Sequence, residues 1–335
     1  MEELDDLTIK LVQEIKKDYP KENYGVLAKK LRDDHNMSIT SGQVQRIWHS
    51  YGNVVFLDKK KSQNPEQIWK SLINYQKKIK SLDTIQKRAT IKINENKPIG
   101  IAFTSDWHIG NLGSDYERLL QDTNLMAETK GLFVFTLGDE FDNYIAASPA
   151  GGQMEAIAPP SLQKELAIER MEKLKGKLLA SLLSCHSSWS LINDDFDFAK
   201  YAANHLGILN LGFGGIVTIS LNKVNYKFGL RHKYPGGISN PIAMHTKWLQ
   251  NNEWVDVVAN AHYHHPFVGI GAFQGKKVHF IRSGSYKVKD RYGEKLGGYE
   301  GIPGCPVVVL FPNKNKILAF DELEKGIEYL NYLRK

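Results

Sequence analysis

The chain has 335 residues, of which 42% are apolar and 24% charged, with a formal net charge of +7. That balance excludes a disordered or fibrous chain, and the length suits one large α/β core with a small appendage. No apolar run is long enough to span a membrane, and Cys185 and Cys305 are too few for a disulfide framework, which fits a reducing cytosol.

The opening stretch, MEELDDLTIKLVQEIKK, is acidic and then amphipathic. A secretory signal begins basic and continues apolar, so a cytoplasmic location is expected. Leu7, Ile9, Leu11, Val12 and Ile15 predict a helix that ends at Tyr19 and Pro20. A second helix is expected over Tyr24 to Asp34, with Val26, Leu27 and Leu31 inward. A third, SGQVQRIWHSYG, would be capped by Thr40 or Ser41 and stopped by Gly52. Residues 1–52 thus read as a small all-α domain. Its third helix carries Gln43, Gln45, Arg46 and His49 outward, which resembles a helix-turn-helix DNA reader. A docking or dimerisation bundle has the same pattern, and both readings stand.

Residues 53–90 read as a basic helical linker. Lys59, Lys60, Lys61, Lys70, Lys77, Lys78, Lys80, Lys87 and Arg88 face only Asp58, Glu66 and Asp83. The charge marks either a solvated face or a contact with a phosphate backbone. A helix from Asn64 to Arg88 is expected, with Ile68, Leu72, Tyr75, Ile79, Leu82 and Ile85 in one stripe. It would act as a connector, a strut or the helix of a homodimer.

From about Thr90 the pattern changes. IGIAFTSD, GLFVFTLGD, LASLLSC, YKFGLRH, WVDVVANAH, KVHFIRSGS and CPVVVLF are short apolar runs that suit buried strands. Helices are expected between some of them, over Asp115 to Thr129, Ser161 to Leu179 and Asp197 to Leu206. Residues 91–335 therefore read as one layered α/β domain, with its site where strand ends meet loops. The Gly/Ala/Pro-rich segment Ala147 to Pro160 reads as a flap.

Polar clusters follow these runs: SDWH, GDEFD, SCH, RH, AHYH and SGSY. They supply Asp106, His108, Asp139, His186, His232, His262 and His264, which are hard and borderline metal ligands. Each cluster alone is commonplace. Together, the order Asp-x-His, Gly-Asp-x-x-Asp, x-His, a single His and His-x-His resembles the calcineurin-like metallophosphoesterase superfamily, in its phage and bacterial form, over about residues 98–290. The resemblance implies a layered αββα sandwich. It also implies that Asp106, His108 and His264 hold one divalent metal, that His232 and His262 hold a second, and that Asp139 bridges them. Asp139 and His186 become the catalytic pair, His186 stabilising phosphoryl oxygens or protonating the leaving oxygen. Mn²⁺ is the first choice of metal, with Zn²⁺ or Fe as alternatives. Two such cations activate water and clamp an in-line displacement at phosphorus.

The chain departs from the family at three places. Ser184-Cys185-His186-Ser187 stands where Gly-Asn-His-Asp or Gly-Asn-His-Glu is usual, so Cys185 replaces a ligand Asn. Either it binds metal and favours Zn²⁺ or Fe, or it is a buried strand-end cysteine beside a weak second site. Arg231 and Ala261 replace glycines, and Arg231 is expected to face substrate phosphate. Asp142 is expected to orient a ligand histidine. In SGSYKVKDRYG, Tyr286, Lys287 and Lys289, with Arg291 and Tyr292, would follow a nucleic-acid strand or be plain surface residues. Asn240 and Pro241 mark a loop beside the groove. His245, His265 and His279 have no assigned role.

The leading expectation is a metal-dependent phosphodiesterase acting on DNA, a nuclease or end-processing enzyme of a bacterial or phage-infected cell. The alternatives are a DNA-binding protein with a decayed or regulatory phosphoesterase domain, and a small-molecule phosphodiesterase or phosphatase. The fold hosts all of these.

Overall fold

A computed structural model describes residues 6–52, 65–82, 85–145, 148, 152–236, 240–289, 294 and 300–335. The chain divides into two compact units, Met1–Leu82 and Asp83–Lys335.

In the first unit, α1 (Asp6–Asp18), α2 (Tyr24–His35) and α3 (Ser41–Tyr51) bury Ile9, Val12, Leu27, Leu31, Val44 and Ile47 in one core. The Asn23 side chain caps α2, and Asn36, in the left-handed region at φ 51°, ends it. Thr40 and Gln43 form a capping box at the start of α3. Gln43 Oε1 accepts from Thr40 N at 2.9 Å, so this residue is engaged as a cap rather than aimed outward. Gln45 and Arg46 are exposed. Then α4 (Pro65–Leu82) presents Trp69, Leu72, Ile73 and Tyr75 as exposed apolar side chains. Lys59, Lys60 and Lys61 lie outside the described residues.

The helix expected to reach Arg88 stops at Leu82. Arg88 instead opens β1 (Arg88–Ile93), paired in parallel with β6 (Gly214–Leu221), and Gln86 N donates to Asn210 O at 2.7 Å. Ladder hydrogen bonds override a weak helical preference here.

The second unit continues with β2 (Ile99–Thr104), α5 (Tyr116–Glu128), β3 (Leu132–Thr136), α6 (Pro160–Lys173), β4 (Leu178–Ser181), α7 (Cys185–Asp194), α8 (Phe198–Leu206) and β5 (Leu209–Asn210). After β6 come β7 (Val224–Arg231), α9 (Pro241–Gln250), β8 (Val257–Asn260), β9 (Phe267–Phe273), β10 (Lys276–Arg282), β11 (Val307–Leu310), β12 (Ile317–Phe320) and α10 (Leu323–Arg334). One six-stranded sheet runs β12-β11-β2-β3-β4-β5 and the other β1-β6-β7-β8-β10-β9. Within them β2, β3, β4 and β5 are parallel, as are β7, β8 and β10.

Strand alternation builds the layers. Ile101 and Phe103 of β2, Phe135 of β3 and Val308 of β11 face Val217, Phe228, Val257 and Ile281 across the seam between sheets. Ala102, Val134, Val307 and Val309 point the other way, onto α5, α6, α8 and α10. On the second sheet Val258, Val278 and Phe280 pack on Trp248 and Leu249 of α9. The result is a layered αββα sandwich. Each large apolar side chain so buried contributes roughly 1.5–3 kcal/mol, which fixes the strand ends that carry the polar clusters.

The helix expected over Ser161 to Leu179 gives way earlier. Gly176, at φ 82°, turns the chain and Leu178 enters β4. In the expected flap, residues 146, 147 and 149–151 lie outside the described residues. Its later part is tied down, with Leu112 N donating to Glu155 O and Ile157 N to Gly110 O, both at 2.8 Å. Among the described residues no helix is long and apolar enough to cross a membrane.

Candidate metal centre

The polar clusters meet at the C-terminal ends of strands from both sheets. Their backbone is unusual: Asp106, His108, Asp139, His262 and His264 have φ of 48°, 45°, 56°, 74° and 59°. A non-glycine residue held there costs of order 1 kcal/mol or more, and such outliers persist only where surrounding bonds fix them. Asp106 N donates to Gly138 O at 2.9 Å, His108 N to Asp139 O at 3.1 Å and Tyr286 N to Asp106 O at 3.0 Å. Gly138 itself sits at φ 100°, and a Cβ on it would lie 2.5 Å from Ser184 Cβ.

Asp106, His108 and His264 form one set. His108 Nε2 and His264 Nε2 are 3.1 Å apart, and Asp106 Oδ1 lies 3.3 Å from His264 Nε2 and 3.8 Å from His108 Nε2. Ligands bound at about 2.0–2.1 Å to one cation sit about 3.0–3.4 Å from each other, so the spacing fits a shared ion. His108 Nδ1 is bonded to Asp142 Oδ1 at 2.8 Å, which turns Nε2 inward. Asp142 Oδ2 accepts from Asn111 Nδ2 at 2.9 Å, and Lys287 Nζ lies 3.6 Å from Asp142 Oδ1.

Asp139, Cys185, His232 and His262 form a second set, with ligand-type atoms all within 4.8 Å of one another. His232 Nδ1 donates to Leu137 O at 2.8 Å, which leaves Nε2 as the lone-pair nitrogen, 2.9 Å from Asp139 Oδ2. Cys185 Sγ is 3.6 Å from His262 Nδ1. Cys185 opens α7 rather than closing a strand, and it is half-buried. Asp106 Oδ1 and His232 Nε2 are buried without a hydrogen-bond partner. Orphaned lone pairs of this kind, one in each set, are what a cation would satisfy, so the residues present fit two divalent metals.

Charge tells the same story. Burial pushes Asp106 up, but the nearby His108 and His264 rings outweigh it and hold the carboxyl well below the usual range. Asp139 is held low against burial by the charge of His232, and Asp142 by its bond to His108. Burial lowers His108, yet Asp106 and Asp142 lift it to about 9. His232 rises against burial for the same reason, beside Asp139. His262, by contrast, is driven to about 3 by burial and the neighbouring His232. Two buried carboxylates, Asp106 and Asp139, thus favour positive charge in the space between the ligand sets, while Asp142 is compensated from behind by Lys287.

His186 stands beside both sets. Its backbone N donates to Asp139 Oδ1 at 2.9 Å, its Nδ1 bonds the Asp142 carbonyl, and Asn143 Nδ2 donates to its carbonyl at 2.7 Å. Trp189 and Tyr144 lie against the ring at 4.3 and 5.4 Å between centroids. Burial lowers its pKa, so the ring is neutral at neutral pH.

The expected groove residues divide. Arg231 is exposed and lines a cavity next to Cys185 and His232. Lys289 is exposed. Tyr286 and Lys287 are only 1% and 2% exposed and cannot follow a strand of nucleic acid. Tyr286 donates to Asp122 Oδ2 at 2.7 Å inside the core, and Lys287 serves the Asp142 carboxylate. Arg291 and Tyr292 lie outside the described residues. Asn240 caps α9 and Pro241 begins it. His245 is a core residue: its Nδ1 donates to the Pro241 carbonyl at 2.6 Å and its Nε2 accepts from Asn260 Nδ2 at 3.1 Å. The sequence reading missed Lys287 as a partner of Asp142 and missed Phe213 and Lys233 beside the centre. Lys233 directly follows the Arg231-His232 cluster, whereas Phe213 adjoins no cluster and was marked only by the glycines on either side of it.

Strand order and layering define an αββα sandwich, with two sets of ligand-type side chains at its strand ends. Solved structures to which the chain is similar are distant in sequence. Vps29 from Chaetomium thermophilum is 13% identical, with 67% of this chain and 99% of that one covered at a TM-score of 0.38. The calcineurin-like phosphoesterase YfkN from Bacillus subtilis is 12% identical, with 72% and 100% covered at 0.36. A predicted phosphoesterase from Streptococcus pneumoniae is 14% identical, with 67% and 90% covered at 0.32. No protein-family model and no curated protein matches the sequence.

Proposed function

We propose that the protein is a metal-dependent phosphodiesterase acting on nucleic acid. The observation that carries this reading is the convergence of two ligand sets on buried Asp106 and Asp139, with an orphaned lone pair in each. Asp106, His108 and His264 would hold one divalent cation, and Asp139, Cys185, His232 and His262 the other. The cations would activate a water and neutralise charge on the phosphoryl oxygens. Mn²⁺ suits the imidazole and carboxylate donors, and the Cys185 thiol adds affinity for Zn²⁺ or Fe.

His186 works from its fixed position. With Nδ1 tied to the Asp142 carbonyl, Nε2 is the atom that exchanges a proton with substrate. In the neutral ring Nε2 carries the lone pair, so it would first take up the proton released by the attacking water and then pass it to the leaving oxygen. Nucleic acid is favoured over a small diester because the +7 net charge, the lysines of α4 and exposed Arg231 would neutralise several backbone phosphates rather than one.

Linear and circular DNA incubated with Mn²⁺ test the reading, beside Asp139→Asn and His186→Ala. Wild type should cut, and both variants should lose turnover, but only Asp139→Asn should lose metal. Equal metal loss in the two would contradict the role of His186. A wild type that binds DNA tightly with less than one metal per chain would show a decayed centre. One that hydrolyses small diesters and no DNA would show a small-molecule enzyme.

A further inference from the structure

A cavity of about 320 Å³ opens beside the second ligand set, lined by Cys185, His232, Phe213, Arg231, Lys233 and Pro235 among others. Two of its walls are metal-ligand candidates, so anything inside it is attached to, or next to, the reacting phosphate. Phe213 stands on the turn between β5 and β6 and leaves 48% of its surface open. Large aromatic side chains are normally buried, and this one is exposed at the wall of a cavity. The turn is shaped to hold it there. Gly212 and Gly214, on either side, adopt φ of 55° and 145°, and Leu183 N donates to Gly212 O at 2.7 Å. Arg231, paired with the neighbouring Gly214 across β6 and β7, and Lys233 add two exposed cations to the lining. Arg231 is braced by Nε donating to Lys233 O at 2.9 Å and by the Tyr234 ring at 5.6 Å.

The volume lies at the lower end of small-molecule sites, enough for one ring system with its sugar and too small for a base pair. A single aromatic face with two cations matches a base to stack and phosphates to neutralise. We propose that this cavity is the subsite for one unpaired nucleoside esterified to the scissile phosphate, with Phe213 as its stacking platform and Arg231 and Lys233 as phosphate contacts. The site then selects single-stranded ends or free nucleotides, and discriminates against diesters lacking a base. This rests on the phosphodiesterase reading above.

Two substrates with the same leaving group separate the claims: thymidine 5′-(p-nitrophenyl phosphate) and methyl p-nitrophenyl phosphate, with Mn²⁺. Wild type should favour the thymidine ester by about tenfold or more in kcat/KM, the size of one base stack. In Phe213→Ala the ratio should fall toward one, and in Phe213→Trp it should be kept. Equal rates on the two esters by wild type, or a ratio unmoved by Phe213→Ala, would overturn the subsite. Calorimetric binding of thymidine 5′-monophosphate gives a readout independent of turnover. Binding weakened about tenfold in Phe213→Ala upholds the subsite even if neither ester is cut, a result that would sink the hydrolase reading alone. No binding by wild type overturns it. An oligo(dT) single strand bound much more tightly than the monophosphate would identify strand ends as the source, and equal affinity would identify free nucleotides.

Discussion

Replacing Asp142 by Asn should weaken one metal set and the fold by separate routes. The carboxylate accepts from Asn111 Nδ2 at 2.9 Å, is bonded to His108 Nδ1 at 2.8 Å and faces the Lys287 ammonium at 3.6 Å. An amide keeps the volume but loses the charge and offers an N–H to a neighbour that is itself a donor. Loss of such an outer partner typically costs 10–100-fold in metal affinity, about 1.4–2.7 kcal/mol. Lys287 is only 2% exposed, so removing the carboxylate charge beside it should cost about 3–5 kcal/mol of stability. Metal content after dialysis against a weak chelator, and denaturant midpoints of the metal-free proteins, measure the two effects. The variant should lose one of two metal equivalents and unfold earlier. Adding Lys287→Met should recover stability and leave the affinity loss in place. Unchanged affinity in Asp142→Asn, or stability that Lys287→Met does not recover, would refute this account.

Cys185→Asn should keep both metals but shift preference from Zn²⁺ toward Mn²⁺, read by competitive titration; unchanged selectivity would show that the thiol is not a ligand. Gly138→Ala should lower stability by about 2 kcal/mol or more and cost metal at the second set, because its Cβ would meet Ser184 Cβ at 2.5 Å and His232 Nδ1 at 3.2 Å at a φ of 100°. Burial holds the His245 pKa at about 4 against an unfolded value near 6.5, with the Ile281 and Pro241 carbonyls pulling the other way. The neutral ring therefore supports the fold above about pH 6.5. That support is lost as pH falls toward 4, up to roughly 3 kcal/mol in all. His245→Leu should flatten the fall of the denaturant midpoint over that window, and an unchanged slope would show that other groups set it.

The core strands that carry ligands were legible because each is a short apolar run ending in a polar cluster. So were α5 and α8, where Asp115 and Asp197 announce the caps. The strand β6, GGIVTISL, went unread because it opens on glycines and carries no polar cluster. Likewise α9 hid behind an Asn-Pro taken for loop, although that pair is also a cap and a first helical turn. Cys185 read as a strand end because its neighbours are apolar. What makes it a helix start is the Ser184–Ser187 box, a pattern of side-chain bonds rather than of hydropathy. Tyr286 and Lys287 were misread for a deeper reason. Their partners, Asp122 and Asp142, lie far back in the chain, and charge count alone cannot distinguish a buried ammonium from a solvated one.

The donors straddle the seam between sheets. Asp106, His108, Asp139 and Cys185 arrive from one side, and His232, His262 and His264 from the other. A chain truncated before β8 lacks both His262 and His264, so neither set is complete in it. We expect loading to follow assembly, because neither set is complete until the turn after β8 is in place. Chelators added during refolding should accordingly slow nothing, and delay only the final gain in rigidity when ions are restored.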